Sequence, residues 1–259
     1  GRVRPAELEK AVTGRTALVS VMTANNETGT IQPVSELAEI AHDRGALFHT
    51  DAVQAFGKIP VSVDGIDLLS VSAHKVYGPK GVGALYISKG MDMEALIHGG
   101  GQEFGLRSGT ENLPGVAGFG TAAQQVRELL ADTQRLRGLR DRLAAGIGHM
   151  VGNCRENGHP EHRLPNTLNV TLPKYRGESV VLEMARHGIC FSSGSACHSG
   201  DSEPSHALLA MGLSEADAHC ALRFSLGRHN TAADVERVLE RLEKTLTQSK
   251  NIVHFVPCR

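Results

Sequence analysis

A lysine stands between a histidine and a Gly/Pro turn in the segment Ser72-Ala73-His74-Lys75-Val76-Tyr77-Gly78-Pro79. The apolar run at 66–71 predicts a buried strand that ends just before this segment. A lysine at such a strand end can form a Schiff base with the aldehyde of pyridoxal phosphate (PLP), and Ser72 and His74 could bind the phosphate. An exposed loop lysine without chemistry is the alternative that this segment alone leaves open.

A carboxylate follows a second predicted strand, at 46–48, in the segment Phe48-His49-Thr50-Asp51. Asp51 could pair with the pyridinium nitrogen of PLP and keep it protonated, so that the ring can accept electrons. Gln54 could donate a hydrogen bond to the ring hydroxyl. The alternative role for Asp51 is to cap the helix that would follow.

Two neutral amides, Asn25 and Asn26, follow a third predicted strand at 17–21. Amides at a strand end suit a ring oxygen or a substrate carboxylate. A turn rich in Asn and Gly, without a ligand, is the alternative interpretation.

Small residues surround Cys197 in the segment 192–200. They predict an exposed, mobile loop whose thiol can act as a nucleophile, with His198 beside it as a potential cation. A buried structural cysteine is the alternative.

Short apolar strands alternate with helical patterns up to about residue 120, which predicts an α/β fold with a mainly parallel sheet. The predicted helix at 34–44 ends at a glycine, and a further strand is predicted at 82–87. A long helix is predicted at 116–150. Beyond it we expect a strand at 166–172, a helix at 177–187 and a final helix at 232–246 that Thr231 caps.

Composition excludes several classes of protein. The 259 residues carry a formal net charge of -1 without a basic block, which argues against a nucleic-acid partner. Five scattered cysteines without CxxC spacing argue against a zinc ribbon and a disulfide framework, and favour a reducing, cytoplasmic compartment. No HExxH or GxxxxGK[ST] motif is present, so we expect neither a metal nor a nucleotide. No apolar run is long enough to span a bilayer.

Taken together, these segments resemble the cysteine desulfurases and selenocysteine lyases, PLP enzymes of the class V aminotransferase fold. The resemblance covers nearly the whole chain. The matching motifs, in chain order, are Asn25-Asn26-Glu27-Thr28-Gly29, His49-Thr50-Asp51, His74-Lys75, Gly99-Gly100-Gly101-Gln102-Glu103, Arg107-Ser108-Gly109-Thr110-Glu111-Asn112, Arg163-Leu164-Pro165-Asn166-Thr167, Ser193-Gly194-Ser195-Ala196-Cys197 and Arg223-Phe224-Ser225-Leu226-Gly227-Arg228.

The resemblance implies the type I fold of PLP-dependent transferases, with a mainly parallel large-domain sheet and a smaller α+β C-terminal domain. Residues 1–125 would be the remainder of the PLP-binding domain, and residues 126–259 the small domain with the cysteine loop. The family has a further N-terminal portion, with a phosphate-binding turn and a histidine that stacks on the ring. We therefore expect this chain to be N-terminally incomplete.

The resemblance also implies a PLP site in which Lys75 carries the cofactor and moves the Cα proton of the substrate. Asp51 would pair with the ring nitrogen, and no metal is implied. The remaining contacts it implies are Asn26 and Gln54 with the ring oxygen, Ser72 and His74 with the phosphate, and Thr110 with the phosphate of the second subunit's cofactor in a homodimer.

The activity that the resemblance implies is conversion of L-cysteine to L-alanine, with a persulfide left on Cys197. Arg223 would bind the substrate carboxylate, with Asn26 beside it. The sulfur would pass to an acceptor protein such as an iron–sulfur scaffold. Two alternatives stay open: a selenocysteine lyase, whose branch the segments 22–29 and 197–199 resemble, and a non-catalytic fragment that dimerises without PLP.

Overall fold

The computed structural model describes residues 1–193 and 203–249. The chain forms two compact units. The first, here called the Lys75 unit, comprises residues 3–23 and 32–130. The second, the Arg223 unit, comprises, among the described residues, 1–2, 24–31, 131–193 and 203–249. The functional division into domains 1–125 and 126–259 stays a prediction.

The Lys75 unit is built on a four-stranded sheet of order β1-β2-β3-β4. Its strands are β1 (Leu18–Ser20), β2 (Leu47–Asp51), β3 (Leu68–Ser72) and β4 (Gly83–Ile87). β1, β2 and β3 run parallel, whereas β4 pairs antiparallel with β3. Val19, Phe48 and Leu69 are buried, as the apolar runs predict. The expected α/β class with a mainly parallel sheet is confirmed.

Helices connect and flank these strands. They are α1 (Pro5–Ala11), α2 (Val34–Asp43), 3₁₀ helices at Ala73–Val76 and Gln102–Gly105, α3 (Leu113–Gln124) and α4 (Val126–Ala131). α2 buries Leu37 and Ala41 on one face, as its 3.6-residue pattern predicts. Gly45 follows it with a φ of 76°, a left-handed conformation that suits glycine.

The prediction of one continuous helix at 116–150 is wrong. The chain forms α3, α4 and then α5 (Thr133–Val151). Gln125 bonds through its N–H to the carbonyl of Ala122, three residues back, at 3.1 Å. This tighter turn interrupts the α-helical hydrogen-bond ladder, although the apolar periodicity continues across it.

The Arg223 unit holds a second four-stranded sheet, of order β5-β6-β8-β7, in which all neighbours are antiparallel. Its strands are β5 (Arg155–Glu156), β6 (Thr167–Thr171), β7 (Ser192–Ser193) and β8 (Ala221–Ser225). Its helices are α5, α6 (Gly177–Ala185), α7 (His206–Ala210), α8 (Glu215–His219) and α9 (Ala232–Ser249). The strand and helices predicted in this region are therefore present.

One core joins β6 and β8 to α5, α6 and α9 through buried side chains such as Leu143, Leu168, Met184 and Leu242. The predicted cap of α9 is also confirmed. Thr231 Oγ1 accepts a hydrogen bond from the N–H of Asp234 at 3.3 Å, and the Asp234 carboxylate accepts from the N–H of Thr231 at 2.8 Å. Across the part of the chain that the structure describes, no helix combines the length and the apolar character needed to cross a membrane.

Candidate active site

The carboxyl ends of β2 and β3 bring candidate cofactor residues to one edge of the first sheet. Asp51 is the last residue of β2 and Ser72 the last of β3. The two strands are adjacent and parallel, with Asp51 opposite Ser70. Lys75 lies in the 3₁₀ helix that begins directly after Ser72. Ligands of open α/β sheets bind outside the carboxyl ends of the strands, so this edge is the expected place for a site.

Packing of the 3₁₀ helix leaves Lys75 exposed. Ala73 and Val76 are buried, whereas His74 and Lys75 are exposed. The turn at Gly57 packs against Val76: a Cβ on Gly57 would lie 2.8 Å from Val76 Cγ1. The lysine that the sequence singled out therefore sits on a short, anchored element with its amine accessible.

Ser72 and His74 form a hydrogen-bonded pair beside Lys75. The hydroxyl Oγ of Ser72 lies 2.7 Å from His74 Nδ1. A phosphate oxygen can accept hydrogen bonds from a hydroxyl and from an imidazole N–H. Their placement thus suits the predicted phosphate contact, which stays a prediction.

Asp51 makes a local contact of its own. Its Oδ1 accepts a hydrogen bond from the N–H of Val53 at 2.8 Å, which stabilises the turn that follows β2. No helix begins there, so Asp51 caps a turn and not a helix. Within residues 1–193 and 203–249, no hydrogen bond engages its second carboxylate oxygen, Oδ2. That oxygen could therefore still pair with a cationic ring nitrogen.

Lys58 is a neighbour of this cluster that the sequence analysis missed. Its Nζ donates a hydrogen bond to the main-chain carbonyl of Gln54 at 3.0 Å. Burial, and secondarily the positive charge of Lys75, lower the pKa of Lys58 from 10.5 to about 8. No periodic pattern in the sequence signals this approach, because it depends on how the 52–59 turns pack on the 3₁₀ helix.

We call Asp51, Gln54, Ser72, His74 and Lys75 the Lys75 cluster.

Thr110 lies in an exposed loop of the same unit. The loop is braced by Ser108, whose hydroxyl donates to the carbonyl of Gly100 at 2.8 Å. None of the described hydrogen bonds joins Thr110 to the Lys75 cluster. Its predicted contact with a cofactor in a second subunit stays a prediction.

Arg223 and Asn26 meet in the Arg223 unit. Arg223 lies on β8 and donates from Nη1 to the main-chain carbonyl of Asn26 at 3.3 Å. Its Nη2 donates to Ser192 Oγ at 3.2 Å, since Ser192 lies opposite it on β7. Its Nε is buried and has no hydrogen-bond partner within residues 1–193 and 203–249. Both hydrogen bonds are long, so the guanidinium keeps capacity for a carboxylate. Ser192 is a second residue that sequence reasoning did not assign.

The turn that carries Asn26 is locally fixed. Asn25 Oδ1 accepts hydrogen bonds from the N–H groups of Glu27 and Thr28, each at 2.9 Å. Gly29 follows with a φ of 73°, and a Cβ there would lie 3.0 Å from Thr167 Cβ. The predicted Asn/Gly turn is thus present. The contact that Asn26 makes with Arg223 uses its main-chain carbonyl.

Cys197 and His198 lie outside the described residues. On the far side of that segment, Ser205 donates from Oγ to Glu27 Oε2 at 2.5 Å and accepts from the N–H of Leu208 at 3.2 Å. Of the other cysteines, Cys154 and Cys190 are free thiols. Cys220 is disulfide-bonded, which runs against the argument that the scattered cysteines form no disulfide framework.

The donor set of the Lys75 cluster fits PLP. It offers an exposed amine for an aldehyde carbon, a carboxylate oxygen for a pyridinium nitrogen, and a hydroxyl–imidazole pair for a phosphate. Each of these groups comes from the same edge of one sheet. In the Arg223 unit, the guanidinium of Arg223 has a buried Nε that no described residue engages.

Comparison with known proteins identifies the family of the chain. A model of the family "Aminotransferase class-V" matches residues 1–238. A cysteine desulfurase of Gluconacetobacter diazotrophicus is 49% identical over 258 residues, covering 98% of this chain and 64% of that protein. A cysteine desulfurase IscS of Methanosarcina thermophila is 47% identical over 260 residues, covering 99% of this chain and 64% of that protein.

A solved structure described as a NifS-like protein has the same fold. It is 41% identical, with a TM-score of 0.88 over 95% of this chain and 66% of that one. The chain thus spans about two thirds of the length of the relatives that it matches. The type I fold expected from the sequence motifs is confirmed by this similarity.

Proposed function

This chain belongs to the class-V aminotransferase family, and from that premise we propose that the protein is a PLP-dependent cysteine desulfurase. It would convert L-cysteine to L-alanine and retain the sulfur as a persulfide on Cys197. The observation that carries the proposal is the Lys75 cluster, in which an exposed amine, a carboxylate and a hydroxyl–imidazole pair share one sheet edge. The curated relatives named above carry the same activity in their names.

The Lys75 cluster would bind the cofactor and handle the protons. PLP, when bound, supplies the electron sink that stabilises negative charge at the substrate Cα. Asp51 Oδ2 would hold a proton at the ring nitrogen, and Gln54 would donate to the ring hydroxyl. Ser72 and His74 would donate to the phosphate. The Lys75 amine would remove the Cα proton and return it, which requires the exposed position that the 3₁₀ helix provides.

The Arg223 side chain would bind the substrate carboxylate, with Asn26 beside it. A planar guanidinium can hold a carboxylate with two parallel hydrogen bonds. Ser192 would keep the guanidinium oriented through its hydroxyl. This placement fixes the amino acid by its carboxylate and leaves the side-chain sulfur to react.

Cys197 would take the sulfur. Its thiolate forms an S–S bond to the substrate sulfur as the C–S bond of the substrate breaks. The carbon keeps the bonding electrons and is protonated, so that alanine leaves. The persulfide would then pass to an acceptor protein such as an iron–sulfur scaffold.

A homodimer is part of the proposal. Three apolar side chains near Thr110 are strongly exposed: Leu96 at 93%, Phe104 at 99% and Leu113 at 70%. Apolar surface of this kind commonly marks a protein interface. A second copy that covered it would also bring Thr110 towards the other subunit's cofactor. A cytoplasmic location stays a prediction.

The activity is tested by incubating the protein with PLP and L-cysteine and mapping persulfide by mass spectrometry. We expect alanine, and one added sulfur atom on Cys197. Cys197→Ala should abolish both, whereas the matched control Cys190→Ala should retain both. Equal alanine production by Cys197→Ala would overturn the proposed sulfur transfer. Turnover of selenocysteine but not of cysteine by the wild-type protein would identify a selenocysteine lyase, and a protein that gains no PLP absorbance would be the non-catalytic fragment.

A further inference from the structure

Four side chains of α9 line one face of the helix at the spacing i, i+3, i+4, i+7. Together with the end of α6 they enclose a cleft of about 230 Å³, here called the α9 cleft. Its lining residues are His187, Ile189, Arg237, Glu240, Arg241 and Lys244. None of them belongs to the Lys75 cluster or contacts Arg223 among the described residues, so the desulfurase proposal leaves this cleft unexplained.

The lining of the α9 cleft is strongly cationic. It contains three permanent positive charges, on Arg237, Arg241 and Lys244, against a single carboxylate, on Glu240. That carboxylate is already paired with Lys244 at 2.5 Å. In the part of the chain that the structure describes, neither guanidinium forms an ion pair with a carboxylate. Two like charges at i and i+4 repel each other, and an anion between them would offset that repulsion.

His187 makes the two guanidinium groups converge. Arg237 donates from Nη2 to the main-chain carbonyl of His187 at 3.1 Å, and Arg241 Nη2 contacts Nε2 of its ring. A guanidinium only donates, so the ring contact requires Nε2 to accept. Glu183 lies 3.3 Å from the same Nε2 and can only accept, which requires Nε2 to donate.

One ring nitrogen cannot satisfy both neighbours at once. Among the described residues, Arg241 therefore lacks a consistent acceptor at Nη2, and its buried Nε has no hydrogen-bond partner. A bound anion would supply the missing acceptor and release His187 to donate to Glu183. The C-terminus of α6 carries a partial negative charge, which disfavours an anion nearby. Arg237 already donates a hydrogen bond to the carbonyl of His187 and so offsets part of this charge.

We propose that the α9 cleft binds a small oxyanion of the phosphate class, either free phosphate or a phosphate monoester. Paired arginine forks and a lysine amine are the groups that recognise such oxygens. The cleft is smaller than the roughly 300–1,000 Å³ typical of pockets for larger ligands, which favours a small anion over a nucleotide. This site lies beyond the proposed desulfurase chemistry and does not depend on it.

The proposal is tested by calorimetric titration of the protein with inorganic phosphate and, separately, with O-phosphoserine. Ionic strength is held constant with sodium chloride. We expect binding that Arg237→Gln and Arg241→Gln each weaken about tenfold or more, since each removes charge-assisted hydrogen bonds. Tighter binding of O-phosphoserine would identify a monoester as the ligand, and equal or weaker binding would identify free phosphate.

Two controls keep the result specific to the α9 cleft. Arg142→Gln removes the same charge from a residue that pairs with Glu236 of α9 at 2.6 Å, outside the cleft, and should leave affinity unchanged. Lys80→Gln, which removes an exposed positive charge in the Lys75 unit, should also leave it unchanged. If Arg241→Gln fails to fold, Lys244→Gln tests the same prediction at an exposed side chain. Affinity unaltered in the cleft variants, or no binding beyond that of chloride, would refute the site.

Discussion

Replacement of Lys58 by methionine should stabilise the folded chain at neutral pH and lose that advantage as the pH rises. The half-buried amine donates to the carbonyl of Gln54, and burial followed by the charge of Lys75 lowers the pKa of Lys58 from 10.5 to about 8. The folded state thus disfavours the protonated amine. This cost is present in full below pH 8 and disappears as the pH rises from about 8 to 10.5.

The size of the effect follows from the two pKa values. Each unit of difference is worth about 1.4 kcal/mol, so the full cost approaches about 3 kcal/mol. Between pH 7 and pH 9 the wild type should recover about 1 kcal/mol relative to Lys58→Met. Loss of the hydrogen bond to Gln54 lowers the stability of the variant by about 1 kcal/mol at either pH. The test therefore depends on how the difference in the free energy of unfolding between wild type and Lys58→Met changes with pH, and not on its size at one pH.

Urea unfolding at pH 7 and pH 9 measures this change, at one protein concentration. Lys80→Met, which removes an exposed lysine of the same unit, is the matched control and should differ from wild type equally at both pH values. A difference between wild type and Lys58→Met that stays constant from pH 7 to pH 9 would refute the reasoning. It would show that Lys58 stays fully charged in the folded protein.

Two further predictions concern Asp51, in the Lys75 cluster, and Gly29, in the turn that carries Asn26. Asp51→Asn should retain PLP but slow exchange of the substrate Cα proton by about 10²-fold or more, as NMR in D₂O can measure; an unchanged rate would leave Asp51 as a turn cap only. Gly29→Ala should lower the free energy of unfolding by about 1–3 kcal/mol in urea, because its φ is 73° and Thr167 lies 3.0 Å from the new Cβ. Gly14→Ala, with open space around it, is the control, and equal stability of the two variants would contradict the strain argument.

The sequence predicts the Lys75 cluster well because its parts are local. Apolar runs place the ends of β2 and β3, and parallel strands bring Asp51 and Ser72 to one edge without further information. The hydrogen bond from Ser72 to His74 spans only two residues. The roles of these residues stay predictions, because the structure fixes their positions and not their chemistry.

What the sequence missed depends on tertiary contacts or on subtle backbone geometry. Ser192 reaches Arg223 through the register of β7 and β8, and Lys58 approaches Lys75 through packing of a turn on a 3₁₀ helix. The breaks at Gln125 and Asp132 leave the apolar period intact, so periodicity alone predicts one helix where three form. Assignment of residues 24–31 to the Arg223 unit likewise follows from long-range contacts, such as that between Asn169 and Glu27.

Labelling of the lysines tests most directly whether the sheet edge around Lys75 is the PLP site. The protein is incubated with PLP, reduced with borohydride and mapped by mass spectrometry. We predict the pyridoxyl group on Lys75, its loss in Lys75→Ala and its retention in Lys80→Ala. Lys58 is the sharpest competitor, because burial lowers the pKa of its amine to about 8. A label on Lys58 or Lys80 in place of Lys75 would contradict the account.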